Sequence, residues 1–264
     1  MTIVVKVGGA AGNSFDRVVS DLAPRADYAL VHGGSAEVDR LGLALGRPSE
    51  YYTSPSGVVS RRSTPAHVEV LTLAMAGRIQ TDLVARLGAA GVRAVGLSGV
   101  DGRLLLAKRK RGARAVVDGR VMLLADDLSG TIERVGVDLL RLLLGSGFVP
   151  VVGPPAVTEE GEIVNVDADR AAAAVAGALH AEALVLLTNV PGLLARPDDL
   201  GSTIPRVARD EIDSVLPIAA GRMKKKLLAA RDALDAGVAR VVLAPSNVDR
   251  PVDAALRGRG TVVS

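Results

Sequence analysis

Cysteine is absent from all 264 residues. That excludes thiolate nucleophiles, disulfides and cysteine-ligated zinc, and it leaves the redox compartment unmarked by cysteine usage. Tryptophan is absent too, and Phe, Trp and Tyr together make up 2% of the chain. So few aromatics argue against stacking single-stranded nucleic acid on side chains. The three histidines, His32, His67 and His180, show no metal-ligand spacing. No apolar run reaches the roughly 18 residues that a membrane-spanning helix needs. A signal-peptide pattern is missing at the start, where Thr2, Ile3, Val4, Val5 and Lys6 read directly into a strand. The expectation is a soluble, cytoplasmic protein with no membrane partner and no nucleic-acid partner.

What is present is a chain that is 48% hydrophobic, with 29 glycines and a formal charge of +3. Short β-rich apolar runs alternate with longer Ala/Leu segments of helical period, as expected when crossover helices cover a mainly parallel sheet. Strands are predicted at 3–7, 28–31, 92–96, 148–152, 183–187 and 240–243. Helices are predicted at 36–45, 66–87, 136–144, 169–179 and 223–236. Between 102 and 135 the texture changes to short strands at 104–106, 115–117 and 121–124, with Asp118-Gly119 as a hairpin turn. This reads as an antiparallel insertion. The fold class is α/β, with two lobes sharing one continuous sheet and dividing near 165–169: residues 1–166 and residues 167–264.

Four segments carry groups suited to phosphate chemistry. Lys6 at the end of the first strand is followed by Gly8-Gly9, whose lack of side chains leaves backbone N–H groups open to an anion. The second strand ends in His32-Gly33-Gly34-Ser35 and runs into a helix, so amides and a helix N-terminus face the same sheet edge. Neither segment is a P-loop or a dinucleotide fingerprint, and each alone reads equally as a strand-end turn. Asp167 and Asp169 precede an Ala-rich helix, where either could serve as a cap. Lys224, Lys225 and Lys226 crowd a helix start, where the dipole disfavours cations. Bound phosphates or simple solvation would each account for that conflict.

In this order, Lys6-x-Gly8-Gly9, His32-Gly33-Gly34, Asn165-x-x-x-Asp169, Thr188-Asn189-Val190-Pro191-Gly192-Leu193-Leu194 and Gly221-x-Met223-x-x-Lys226 resemble the motifs of the amino acid kinase family, acetylglutamate kinase branch. The resemblance implies a three-layer αβα sandwich of the carbamate kinase-like type, and transfer of phosphate from ATP to a carboxylate. It implies Lys6 and Lys226 as the groups that stabilise the transferring phosphoryl, with Asp169 holding both. It further implies Gly33, Gly34, Ser35, Arg61 and Asn165 on the substrate side, Arg61 pairing with an α-carboxylate. Gly8, Gly9, Asn189, Val190, Pro191, Gly192, Leu193, Gly221 and Met223 would surround the nucleotide. Magnesium would come with ATP, held mainly by the nucleotide, with no metal site on the protein.

Ser35 departs from the glycine usual in acetylglutamate kinases. The segments Gly96-Leu97-Ser98-Gly99-Val100-Asp101-Gly102-Arg103 and Gly221-Arg222-Met223-Lys224 look like those of LysW-aminoadipate kinases, which act on substrates attached to a small acidic amino-group carrier protein, LysW. Residues 103–120 hold seven basic side chains and one acidic one, Asp118. Lys108, Arg109, Lys110, Arg111 and Arg114 would then steer that acidic partner, although an exposed basic hairpin kept for solubility fits the same composition. The resemblance also implies a homodimer. The chain begins at its first strand, without the extra N-terminal helix of arginine-inhibited relatives, so no arginine inhibition is expected. Free N-acetylglutamate as acceptor is the alternative reading, and a noncatalytic nucleotide-binding module is the reading from another class.

Overall fold

The computed structural model describes residues 2–264 except Ala11, Ser56, Val58, Asp118 and Ala220. The predicted turn at Asp118 therefore lies partly outside the described residues. Eight strands form the central sheet: β1 (Ile3–Val7), β2 (Tyr28–His32), β3 (Ala94–Ser98), β4 (Val149–Gly153), β5 (Ala183–Thr188), β6 (Arg206–Val207), β7 (Arg240–Pro245) and β8 (Thr261–Val263). Their spatial order is β6-β8-β7-β5-β1-β2-β4-β3. Every pairing is parallel except β7 with β8. On one side of β1 lie the strands drawn from residues 28–153, and on the other those drawn from 183–263.

Side-chain alternation divides the core in two. Val4 of β1, Ala29 and Val31 of β2 and Leu184 and Leu186 of β5 face one layer, where helices α4 (Val137–Gly145), α5 (Ala168–Ala178) and α6 (Arg222–Asp235) pack. Ile3, Val5, Val7, Leu30, Val185 and Leu187 face the opposite layer. That layer comprises α1 (Phe15–Leu22), α2 (Ser35–Ala44), a long helix α3 spanning 65–89 and α7 (Pro251–Leu256). Strands buried on both faces need near-continuous apolar sequence, which is why Val, Leu, Ile and Ala fill them. The result is the three-layer αβα sandwich.

Several details differ from expectation. The strand predicted at 92–96 runs from Ala94 to Ser98, because Gly91, at φ +83°, and Val92 complete the turn after α3. The helix predicted at 66–87 is continuous but π-helical over Leu73–Ile79. The insertion does not stand alone: Leu105–Arg109 pairs antiparallel with Gly130–Val135 and parallel with Ala156–Val157, so it joins the body. Only Ala113–Val117 and Arg120–Leu124 form a separate antiparallel hairpin.

Candidate active site

Lys6 shares its face of β1 with Val4, so its side chain enters the layer of α5 and α6. The chain of α5 begins at Asp167, whose carboxylate caps the helix by accepting from the amides of Asp169 (2.9 Å) and Arg170 (3.2 Å). Asp169 is thereby released from capping. Its carboxylate lies 2.7 Å from Lys6 Nζ and accepts from Lys226 Nζ at 3.0 Å on each oxygen. Lys6, Asp169 and Lys226 are 5%, 7% and 6% exposed, so this triad is withdrawn from bulk water. Of the lysine run only Lys226 turns inward, while Lys224 and Lys225 stay in solvent.

Burial by itself would raise the Asp169 carboxyl, but the charges of Lys6 and Lys226 outweigh it and hold the group well below the usual carboxylate range. Burial, reinforced by the charge of Lys6, pulls the Lys226 ammonium down from its ordinary value, with Asp169 opposing. The carboxylate carries one negative charge against two positive ones. The triad is therefore an anion-seeking site with one charge uncompensated.

Two glycine loops close on it. A Cβ on Gly33 would lie 3.6 Å from Lys6 Nζ, and one on Gly9 would lie 2.0 Å from the amide nitrogen of Gly34, so the loops touch backbone to backbone. Not every expected amide is available: Gly8 donates to Leu187 O and Gly33 to Val7 O, both extending the parallel ladder. Gly9 and Gly34 make no backbone hydrogen bond through their amides among the described residues. Ser35 donates from its hydroxyl to Gly9 O (3.2 Å) and accepts from Arg222 Nη1 (3.0 Å). It joins the loop after β2 to the first turn of α6. His32, fully buried at the end of β2, is pushed down to about 4 by burial, with Lys6 adding in the same direction, so it is a neutral structural group.

Further out, Arg61 is held rather than presented free: its Nη2 donates to Asp39 Oδ2 (2.6 Å), Tyr51 Oη (3.1 Å) and Ser35 O (3.4 Å). Asn165 Nδ2 donates to Ser63 Oγ (3.0 Å). Buried Asp127 accepts from the amides of Ser63 and Ser129 at 2.9 Å each and so ties this loop to the insertion. Asp39, Ser63 and Asp127 escaped sequence reasoning, because an isolated polar residue in a turn-rich stretch looks like surface. The even spacing of Asp127 and Ser129 was the one available hint of a local side-chain-to-backbone turn.

On the other side, Asn189, Pro191, Leu200, Thr203, Pro245, Asn247, Val248, Arg259 and Gly260 line a pocket of about 340 Å³ at the ends of β5 and β7. Val190 is half-buried beside it. Leu193 and Gly192 do not line it. The Leu193 side chain belongs to the core, its amide donates to Thr261 Oγ1 (2.8 Å), and Gly192 packs against the same threonine. Both shape the loop from behind. Gly221 opens α6 at φ +53°, and Met223 packs against the core.

Of the five cations expected to dock a partner, Arg109 is already engaged. It donates to Glu162 Oε1 (2.8 Å), Ala125 O (3.0 Å) and Asp127 O (3.3 Å) and braces the insertion. Lys108, Lys110, Arg111 and Arg114 are exposed and form no ion pair among the described residues. No group of three or more His, Asp or Glu side chains among the described residues is arranged to hold a metal ion. No helix among them is long and apolar enough to cross a membrane.

Comparison with known proteins agrees with this geometry. The model of the amino acid kinase family matches residues 1–245. A LysW-aminoadipate kinase of Deinococcus radiodurans is 48% identical over 266 residues, 99% of this chain and 91% of that protein. A LysW-aminoadipate kinase of Thermus thermophilus is 43% identical over 267 residues, 99% of each. Among solved structures, N-acetylglutamate synthase of Neisseria gonorrhoeae, complexed with coenzyme A and N-acetyl-glutamate, superposes with a TM-score of 0.78 at 26% identity. It covers all of this chain, which spans 59% of that longer one. Sequence, fold and the placement of the two lysines around one buried aspartate thus converge: the chain belongs to the amino acid kinase family.

Proposed function

We propose that this protein transfers the γ-phosphoryl group of ATP to the side-chain carboxylate of α-aminoadipate or glutamate carried through its amino group on a small acidic carrier protein of the LysW type. The observation that carries the proposal is the buried triad of Lys6, Asp169 and Lys226. A carboxylate oxygen of the acceptor attacks the γ-phosphorus, the bond to the bridging oxygen breaks, and ADP leaves as the acyl phosphate forms. No proton has to be removed from the nucleophile, so no catalytic base is required. What the reaction needs is alignment and charge stabilisation. Lys6 at the end of β1 and Lys226 on α6 approach from two layers of the fold, and Asp169 fixes both ammonium groups before substrate arrives. The amides of Gly9 and Gly34, which make no backbone hydrogen bond among the described residues, would face the acceptor and the transferring group.

The pocket at the ends of β5 and β7 suits the nucleoside, and the first turn of α6 suits the phosphates. Magnesium, held by the phosphate oxygens, would neutralise part of their charge. Arg61, steadied by Asp39 and Tyr51, and Asn165, steadied by Ser63, would orient the α-carboxylate and the acylated nitrogen. The expected form is a cytoplasmic homodimer.

An ADP-release assay with carrier-linked aminoadipate, carrier-linked glutamate and free N-acetylglutamate tests the acceptor. Carrier-linked substrate should win in kcat/KM, and a preference for free N-acetylglutamate would make the chain an acetylglutamate kinase. Lys6→Ala and Lys226→Ala should each abolish turnover, and turnover retained by either would refute the mechanism.

A further inference from the structure

In the hairpin Ala113–Val117/Arg120–Leu124, Arg114 lies opposite Leu123, Val116 opposite Val121, Ala115 opposite Met122 and Ala113 opposite Leu124. Opposed residues share a face and alternate along each strand. One face therefore carries Ala113, Ala115, Val117, Arg120, Met122 and Leu124, and the other Arg114, Val116, Val121 and Leu123. Ala115 is 1% exposed, so the first face meets the protein there, while Val117 at 42% and Met122 at 51% stay exposed on it. The second is open, with Val116 40%, Val121 60% and Leu123 59% exposed. A lone two-stranded hairpin gains little stability in water, and contiguous aliphatic groups left in solvent mark a contact surface.

The surroundings say what kind of partner fits. Arg111, Arg114 and Arg120 are exposed and form no ion pair among the described residues, and no described residue of the two strands is acidic. A second copy docked face to face about a two-fold axis would set these cations against themselves. Nucleic acid would find no aromatic ring on this face to stack upon. An acidic protein surface satisfies both features, aliphatic groups at the centre and cations at the rim.

We infer that the face formed by Arg114, Val116, Val121 and Leu123 is the docking core for the acidic carrier protein, with Arg111 at its rim and Arg109 outside it. This rests on the carrier-linked reading of the function and deepens it. Affinity then comes from aliphatic burial, and the cations supply encounter rate and salt dependence.

The test is calorimetric binding of purified, unloaded carrier protein at two salt concentrations. Removing two half-exposed aliphatic contacts in a Val121→Ser/Leu123→Ser variant should weaken Kd about tenfold or more while keeping the salt dependence. Arg114→Glu should weaken it by about tenfold and flatten the salt dependence. Unchanged affinity for a nonhydrolysable ATP analogue confirms that each variant is folded. Wild-type carrier affinity in the double variant overturns the inference, as does conversion of a dimer to a monomer by it, which would make this face a self-interface. If the wild-type enzyme phosphorylates free acylated amino acids and binds no carrier, the carrier-linked reading itself has failed. If it binds carrier and the double variant binds equally well, only this surface has.

Discussion

Replacing Asp169 by Asn removes the charge that joins Lys6 and Lys226 while leaving the side chain's volume unchanged. Both ammonium groups stay more than nine-tenths buried, Lys6 at 5% and Lys226 at 6% exposure, now without a counter-ion. Removing one partner from a buried ion pair costs about 3–5 kcal/mol, because the remaining charge is stranded. Here two charges are stranded, against which relaxation of the lysines toward the cleft gives some relief. A loss of about 3 kcal/mol in urea unfolding at neutral pH is expected. Turnover should fall by about 10²-fold or more, since neither ammonium is held where charge develops on the phosphoryl group. Bound nucleotide supplies negative charge, so it should stabilise Asp169→Asn more than it stabilises the wild type. Adding Lys226→Met should restore part of the lost stability, because one stranded charge disappears; the two substitutions share a contact and cannot be additive. The pH dependence has a definite sign. Asp169 has a depressed folded pKa, so its contribution is complete above the ordinary carboxylate value and is lost as pH falls below about 4. The Asn variant should lack that part of the acid limb. Wild-type stability together with turnover within threefold of wild type would show that the triad holds nothing together.

Two further outcomes follow from the same geometry. Gly9→Ala should cost about 3 kcal/mol or more, since its Cβ would meet the backbone of Gly34 at 2.0 Å, whereas Gly34→Ala meets only the ends of Ile79 and Met75 and should cost less; thermal unfolding ranks the two. His32 and His67 are both lowered to about 4 by burial, so the unfolded chain binds more protons between pH 4 and 6.5 and stability should fall as pH falls through that window, by on the order of 2 kcal/mol per histidine; a His32→Gln/His67→Gln variant with an undiminished slope would contradict this.

Six of the eight central strands were legible because burial on both faces demands unbroken runs of Val, Leu, Ile and Ala. The two that were not, Arg206–Val207 and Thr261–Val263, lie toward one edge of the sheet and are two and three residues long. At that length no periodicity exists to read. The hairpin Tyr51–Thr53/Val59–Arg61 was invisible for the same reason, although it supplies Tyr51 to Arg61. Charge runs misled in a specific way. Lys108, Arg109, Lys110 and Arg111 look equivalent in one dimension, but alternation along Leu105–Arg109 sends Lys108 outward and turns Arg109 toward Glu162. Exposed aliphatics on the neighbouring hairpin were equally hidden, since Val121 and Leu123 read only as part of a short strand until one face is seen to be open.

The triad depends on the parity of one strand. Val4 and Lys6 face the layer of α5 and α6, while Val5 and Val7 face the layer of α1, α2, α3 and α7. β1 lies between β5 and β2, in register with Leu186 and Val31 at Lys6, so it cannot slip by one residue without turning its lysine into the wrong layer. Parallel pairing also brings the carboxyl ends of β1, β2, β5 and β7 to one edge of the sheet. The glycine loops follow β1 and β2 there, and the loops of the 340 Å³ pocket follow β5 and β7. α5 and α6 then need only start near that edge for Asp169 and Lys226, in or just beyond their first turns, to meet Lys6. Three residues separated by 163 and 57 positions are thereby brought together by strand order and side-chain alternation, with no long-range loop required to carry any of them.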